Sequence, residues 1–180
     1  MRTKLKTVLL PFVCVVLIML LIWLSAILAA GMAVQASGVG YSRVDQTGDP
    51  KVVELTETVA EIYPICPELL QAIVFYESSN QRTVSSSYGD IGYMQVNPRW
   101  QQARMDKLGI TDLTDGYSNI LVGTDFLCDL FAKYEDPALV LMCYNLGIDK
   151  ALELYNAGQI SDYAKNILEL SEQLERLHEK

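Results

Sequence analysis

A chain of 180 residues with 14 basic against 22 acidic side chains carries a formal net charge of −8. That balance argues against nucleic acid, which is held through Lys and Arg contacts to phosphate. Without Arg2, Lys4 and Lys6 at the amino end, 11 basic and 22 acidic residues remain, a formal charge of −11, so the bulk of the chain has no polybasic grip on lipid headgroups and reads as a solvated acidic surface.

Residues 1–7 are a basic start. From Val8 to Val34 no charged residue occurs and Leu, Ile, Val and Met dominate, a run long enough to cross a hydrocarbon core of about 30 Å as a helix. The basic residues before it, with no acid ahead of Asp45, hold the amino end in the cytoplasm and send the rest outside. A cleavable signal peptide is the competing reading, since small residues from Ala33 to Ser37 would allow cleavage. Its apolar region is normally about 7–15 residues long, and this run exceeds that. The expectation is a single-pass anchor over 8–34 in the cell membrane with the working domain extracytoplasmic, or a secreted domain if residues 8–36 are removed.

Residues 35–50, rich in Gly, Ser, Asp and Thr and without periodicity, read as a flexible linker. Fully extended, it would reach roughly 50 Å. From Lys51 to Lys180 the pattern is helical. A first helix is predicted over Val52–Tyr63. A second runs from Pro67 to Ser78, with proline and Glu68 in its first turn. Asn80 to Gly92 is a loop or short extended hairpin. Pro98–Leu108 is a helix closed by Gly109, and Ser118–Tyr134 a longer one with Ile120, Leu127, Leu130 and Phe131 at its period. Asp136-Pro137 opens a helix that ends at Gly147. Asp149–Ala157 is short and closed by Gly158. Ser161–His178 comes last, its final turns charged and protruding. Residues 51–180 are therefore one mainly α domain of ordinary size.

Cysteine decides little. Cys14 lies in the apolar run, and Cys66, Cys128 and Cys143 are an odd number outside it. Cys128 and Cys143 fall on apolar helix faces, where a thiol is often a small core residue, and no pairing is predicted.

The available chemistry is narrow. The single histidine, His178, is near the end of a charged helix. Ser-His and Cys-His hydrolases and the usual histidine zinc sites are thereby excluded. No phosphate-cradling glycine loop precedes a helix, and no metal or organic cofactor is implied. Carboxylates, tyrosines and amides remain, and glycosidic cleavage is chemistry that carboxylates perform alone.

Glu77 stands out among the acids. Leu69, Leu70, Ile73 and Val74 form one apolar face of their helix, and Glu77 falls near its middle. It also lies in the last turn, where the helix dipole disfavours negative charge. Desolvation and dipole both raise its pKa, and a carboxyl group that keeps its proton can donate it to a leaving oxygen. The structural alternative is a glutamate that frays outward or pairs with Arg82 or Arg99.

Glu77-Ser78, then Ser85-Ser86, Gly89, Gly92-Tyr93-Met94-Gln95 and Pro98 resemble the signature of the soluble lytic transglycosylase and goose-type lysozyme group, in the same spacing and without a gap. Asn119-Ile120 with Gly123 and Leu127 is similar to that group's second motif, Tyr144-Asn145-x-Gly147 to its third, and Tyr163 falls where a late tyrosine is expected. The resemblance spans Val52 to Leu170. It implies a lysozyme-like helical domain that cleaves the bond between N-acetylmuramic acid and N-acetylglucosamine in peptidoglycan glycan strands, giving 1,6-anhydro ends without water.

By the same resemblance Glu77 is the single general acid and base. Ser78 would hold its carboxyl or the substrate acetamido group, with Ser86 also on the substrate side. Met94 and Gln95 would line the cleft, and Tyr93, where leucine is common, would add a hydroxyl there. Tyr144 and Asn145 would face the glutamate, Tyr144 hydrogen-bonding it. The plainer readings are core filler for Met94, a capping arrangement for Tyr144-Asn145, and turn positions for Gly89 and Gly92.

Asn80, Gln81 and Arg82 depart from the family pattern, and Asp90 replaces a small residue. Asp90 opens a hydrolytic alternative, a muramidase in which it positions water. A non-catalytic glycan-binding wall scaffold is the alternative from another class.

Overall fold

The computed structural model describes residues 48–178. The basic start, the expected membrane segment 8–34 and most of the linker 35–50 lie outside them. Among the described residues no helix is long and apolar enough to cross a membrane.

The seven helices of this region are α1 Pro50–Ala60, α2 Pro67–Ser78, α3 Pro98–Leu108, α4 Gly116–Lys133, α5 Pro137–Leu146, α6 Ile148–Asn156 and α7 Asp162–His178. Short polar side chains set most of the starts. Asp49, Asn97, Asp115 and Asp136 each accept a backbone N–H of the first turn, satisfying donors that have no partner inside the helix. Pro50, Pro98 and Pro137 follow directly, where a missing N–H costs nothing. The Asp49 and Asp115 caps move α1 and α4 two residues ahead of their expected starts. α1 also stops before Tyr63, which precedes Pro64 and is pushed out of helical geometry by it.

α2 is the centre of the domain. Leu70, Ala72, Ile73 and Val74 have no exposed surface, and the helix packs against α1 on one side and α7 on another, while α5 also meets α7 and α4 meets α1, α3 and α5. Each fully buried Leu or Ile contributes about 2 kcal/mol through area removed from water.

The carboxyl end does not protrude as expected. α7 buries Ala164, Ile167, Leu170 and Leu174, and His178 Nδ1 lies 2.6 Å from Glu68 Oε1 at the start of α2. An apolar stripe carried to Leu174 keeps the charged last turn close to the domain. Cys66, Cys128 and Cys143 are free thiols, Cys143 buried and the others half-buried.

Between α2 and α3 the chain is irregular, with isolated bridges pairing Ser85 with Ile91 and Ile91 with Val96. One buried side chain organises this segment. Asn119, on α4, accepts the N–H of Met94 (2.9 Å) and donates to the carbonyls of Ile91 (2.7 Å) and Leu113 (3.0 Å). The fit around it is tight: a Cβ on Gly92 would lie 2.5 Å from Asn119 Nδ2, and Gly92 adopts a φ of +76° that favours glycine.

A candidate active site at the end of helix α2

Glu77 is the penultimate residue of α2, where the helix gives way to left-handed Ser79. Its side chain is partly buried, and its Oε1 accepts a 2.5 Å hydrogen bond from the hydroxyl of Tyr163 in the first turn of α7. Burial pushes the Glu77 pKa up, the Tyr163 hydrogen bond pulls it back, and the negative charge of Asp90 pushes it up again, leaving it raised. Neither arginine neutralises it. Arg82 donates to the Thr114 carbonyl at 3.0 Å, and the guanidinium of Arg99 lies over the Trp100 ring.

Tyr144 does not make the expected hydrogen bond to Glu77. Its hydroxyl donates to the Met94 carbonyl at 2.9 Å, since an irregular segment leaves such carbonyls in need of a donor. The ring is held by Phe126, 5.5 Å away between centroids. Burial, then the negative charges of Glu77 and Asp90, raise the Tyr144 phenol well above its usual range. Tyr163 is raised for related reasons: burial, the Glu77 charge and the hydrogen bond to Glu77. Both phenols therefore stay protonated as neutral donors.

Several expected positions differ. Ser78 is buried and donates to the Val74 carbonyl at 3.0 Å, the back-bond a helical serine makes to residue i−4, so its proton is directed away from Glu77. Met94 has no exposed surface and seats against Gly123, where a Cβ would come within 2.7 Å of its sulfur. Tyr93 is also buried, its ring against Gly116. These two side chains belong to the core because the loop turns inward at Gly92, and neither lines an open surface. Gln95 stays partly exposed at a φ of +48°, and its amide braces its own loop through the carbonyls of Gly92 (2.9 Å) and Val84 (3.3 Å). Asn145 is exposed at the end of α5.

Ser86 and Asp90 form a second polar group. Ser86 Oγ donates to Asp90 Oδ2 at 2.6 Å and accepts the N–H groups of Tyr88 and Asp90. Asn97 Nδ2 donates to Asp90 Oδ1 at 2.9 Å. Ser86 is thus a loop-shaping residue, and Asp90 is held with each oxygen engaged while its charge acts on Glu77.

Two contributors have roles that their sequence context does not reveal: Tyr163 reads only as a late tyrosine, and Asn119 only as part of a motif. Nothing in spacing reveals which of two tyrosines reaches a carboxylate across four helices, whereas a buried asparagine facing a glycine-rich loop is a readable sign of backbone pinning.

Residues 54–166 match the profile of the Transglycosylase SLT domain. A protein of Enterobacteria phage PRD1 described as a transglycosylase is 32% identical over 89 residues, which are 49% of this chain and 32% of that protein. The fold is similar to that of the lytic transglycosylase Slt of Pseudomonas aeruginosa, solved as an inactive glutamate-to-glutamine mutant, with TM-score 0.58 and 19% identity over 66% of this chain and 23% of that one. It is also similar to the 70 kDa soluble lytic transglycosylase of Escherichia coli, with TM-score 0.57 and 23% identity over 66% of this chain and 23% of that one. A 70 kDa soluble lytic transglycosylase in complex with bulgecin A gives TM-score 0.60 and 21% identity over 71% and 24%. The chain spans about a third of the curated relative and about a quarter of these structures. The mainly helical, lysozyme-like architecture expected from the sequence is the one observed, and the chain belongs to the Transglycosylase SLT domain family.

Proposed function

We propose that this protein is a peptidoglycan lytic transglycosylase that cleaves the bond between N-acetylmuramic acid and N-acetylglucosamine, with Glu77 acting first as acid and then as base. The observation that carries the reading is a partly buried carboxyl group, raised in pKa, that accepts the Tyr163 phenol and forms no ion pair among the described residues. Such a group enters the reaction protonated and gives its proton to the leaving glycosidic oxygen. The substrate acetamido group stabilises the sugar cation, a route open to glycosidases without a protein nucleophile. Glu77, now ionised and held by Tyr163, accepts the proton of the muramyl 6-hydroxyl, which closes the anhydro ring. The inactive glutamate-to-glutamine mutant of the Pseudomonas protein supports assigning the role to a glutamate.

A single carboxylate suffices for this sequence of steps. Asp90 favours a second reading, hydrolysis, because its charge reaches Glu77. Its hydrogen bonds to Ser86 and Asn97 support a fixed, loop-holding carboxylate over one free to activate water. Mass spectrometry of digested sacculi separates the two: anhydro ends are expected, and reducing ends one water heavier would establish hydrolysis.

We further propose that residues 8–34 anchor the chain in the cell membrane with the catalytic domain outside. Glycan strands in the wall are then within reach of the linker.

A further inference from the structure

We propose that Tyr88, Arg99 and Trp100 form a glycan-binding shoulder that takes the peptidoglycan strand beyond the bond being cut, an inference that rests on the substrate assigned above. Exposed large apolar side chains are few among the described residues, and Tyr88 at 87% and Trp100 at 73% are the two most exposed. Neither is needed by the core. One residue nevertheless ties the backbone of both to the loop that carries Asp90. Asn97 caps α3, two positions before Arg99 and three before Trp100, and its Nδ2 donates both to the Tyr88 carbonyl (3.1 Å) and to Asp90 Oδ1 (2.9 Å). Tyr88 and Trp100 therefore lie on segments joined by the residue that also holds Asp90, the carboxylate whose charge acts on Glu77.

Chemistry selects the occupant. Open aromatic faces offer flat apolar platforms with a negative π surface, which match the C–H faces of pyranose rings. Arg99 adds charge. Its guanidinium lies 5.1 Å from the Trp100 ring centroid, and among the described residues it forms no ion pair. In a chain with 22 acidic residues, an arginine left without a carboxylate and stacked on an exposed tryptophan suits a ligand that brings its own carboxylates. Peptidoglycan does so through its peptide stems, whereas an uncharged glucan or chitin does not. The shoulder thus selects peptide-bearing strands.

The test uses detergent-solubilised full chain carrying Glu77→Gln, so that glycan is bound without being consumed. Affinity for purified sacculi is measured by sedimentation. Trp100→Ala and Tyr88→Ala should each weaken binding about 5-fold, the scale of one aromatic contact. Arg99→Ala should weaken it about 3-fold at low salt and little at high salt, where screening already removes its pairing. Lys133→Ala, which removes a cation at the end of α4 that lies over the Tyr134 ring, should change nothing. In a further Trp23→Phe background Trp100 is the only tryptophan, and its emission should shift when soluble peptide-bearing strands are added.

Unchanged affinity in both aromatic variants, with a silent Trp100, overturns the shoulder. The parent chain with Glu77 intact is assayed for lysis of the same sacculi. Lysis together with unaltered binding in the aromatic variants rejects the shoulder and leaves the transglycosylase reading standing. Weakened binding in those variants without any lysis by the parent retains a glycan-binding shoulder and rejects the cleavage chemistry.

Discussion

At the residue scale the site rests on opposed influences on one carboxyl group. Burial and the Asp90 charge raise the Glu77 pKa, and the Tyr163 hydrogen bond lowers it. Activity that needs the protonated acid is lost as pH rises through that pKa, so the alkaline limb of kcat/KM reports it. Tyr163→Phe removes the lowering influence and should move the limb to higher pH, while Asp90→Asn removes a raising one and should move it lower. Steady-state profiles of the two variants displaced in the same direction would contradict the assignment. Stability carries the same sign. A raised carboxyl pKa stabilises the fold below the unfolded value, and that contribution disappears as pH climbs through the folded value. Glu77→Gln, which still accepts from Tyr163, should therefore melt higher than the parent at pH 8 and closer to it at pH 4. Glu77 was legible in the sequence because an acid on an apolar helix face violates the pattern around it. Its partner was not, since Tyr144 and Tyr163 are equally plausible donors until the packing of α7 on α2 selects one.

At the element scale the decisive device is Asn119 on α4. Its side chain pairs three backbone groups, two buried and one partly buried, from the loop before α3 and the turn before α4. Asn119→Ala leaves them without partners and should cost about 3 kcal/mol, read as a lower urea midpoint with an unchanged slope. A value below about 0.5 kcal/mol would mean that water replaces the amide. A second device is the partly buried pair of Arg104 and Asp125, joined by Tyr63 at 2.9 Å. Although burial pushes Asp125 up, hydrogen bonds from Tyr63 and Arg104 hold it below the usual carboxylate range. Its contribution is present above the unfolded pKa and lost as pH falls through the folded one. Arg104→Ala should destabilise by roughly 2 kcal/mol, because a charge-assisted hydrogen bond is lost and Asp125 keeps only Tyr63 and the longer 3.4 Å pairing with exposed Lys107. Helix starts and stops were largely readable from Asp-Pro, Asn-Pro and Gly signals. The inward turn of Tyr93 and Met94 was not, because it follows from the space that Gly116 and Gly123 leave open on a helix distant in sequence.

At the scale of the whole molecule, the helical domain places Glu77 where α2 ends against α7, and the proposed anchor would hold that domain beside the wall. Protease added to intact spheroplasts should digest the domain and spare the amino-terminal segment; protection of the domain would reverse the proposed orientation. The class of domain was legible because several short motifs recur in order over most of its length, while the roles of their members emerged only from tertiary hydrogen bonds. The most direct measurement compares parent and Glu77→Gln chains on purified sacculi, following solubilised muropeptides by mass spectrometry. The parent should release anhydro-ended fragments, and the variant should be slower by at least roughly 10³-fold, since one group serves as both acid and base. Lysis by the variant at the parent's rate would contradict the account.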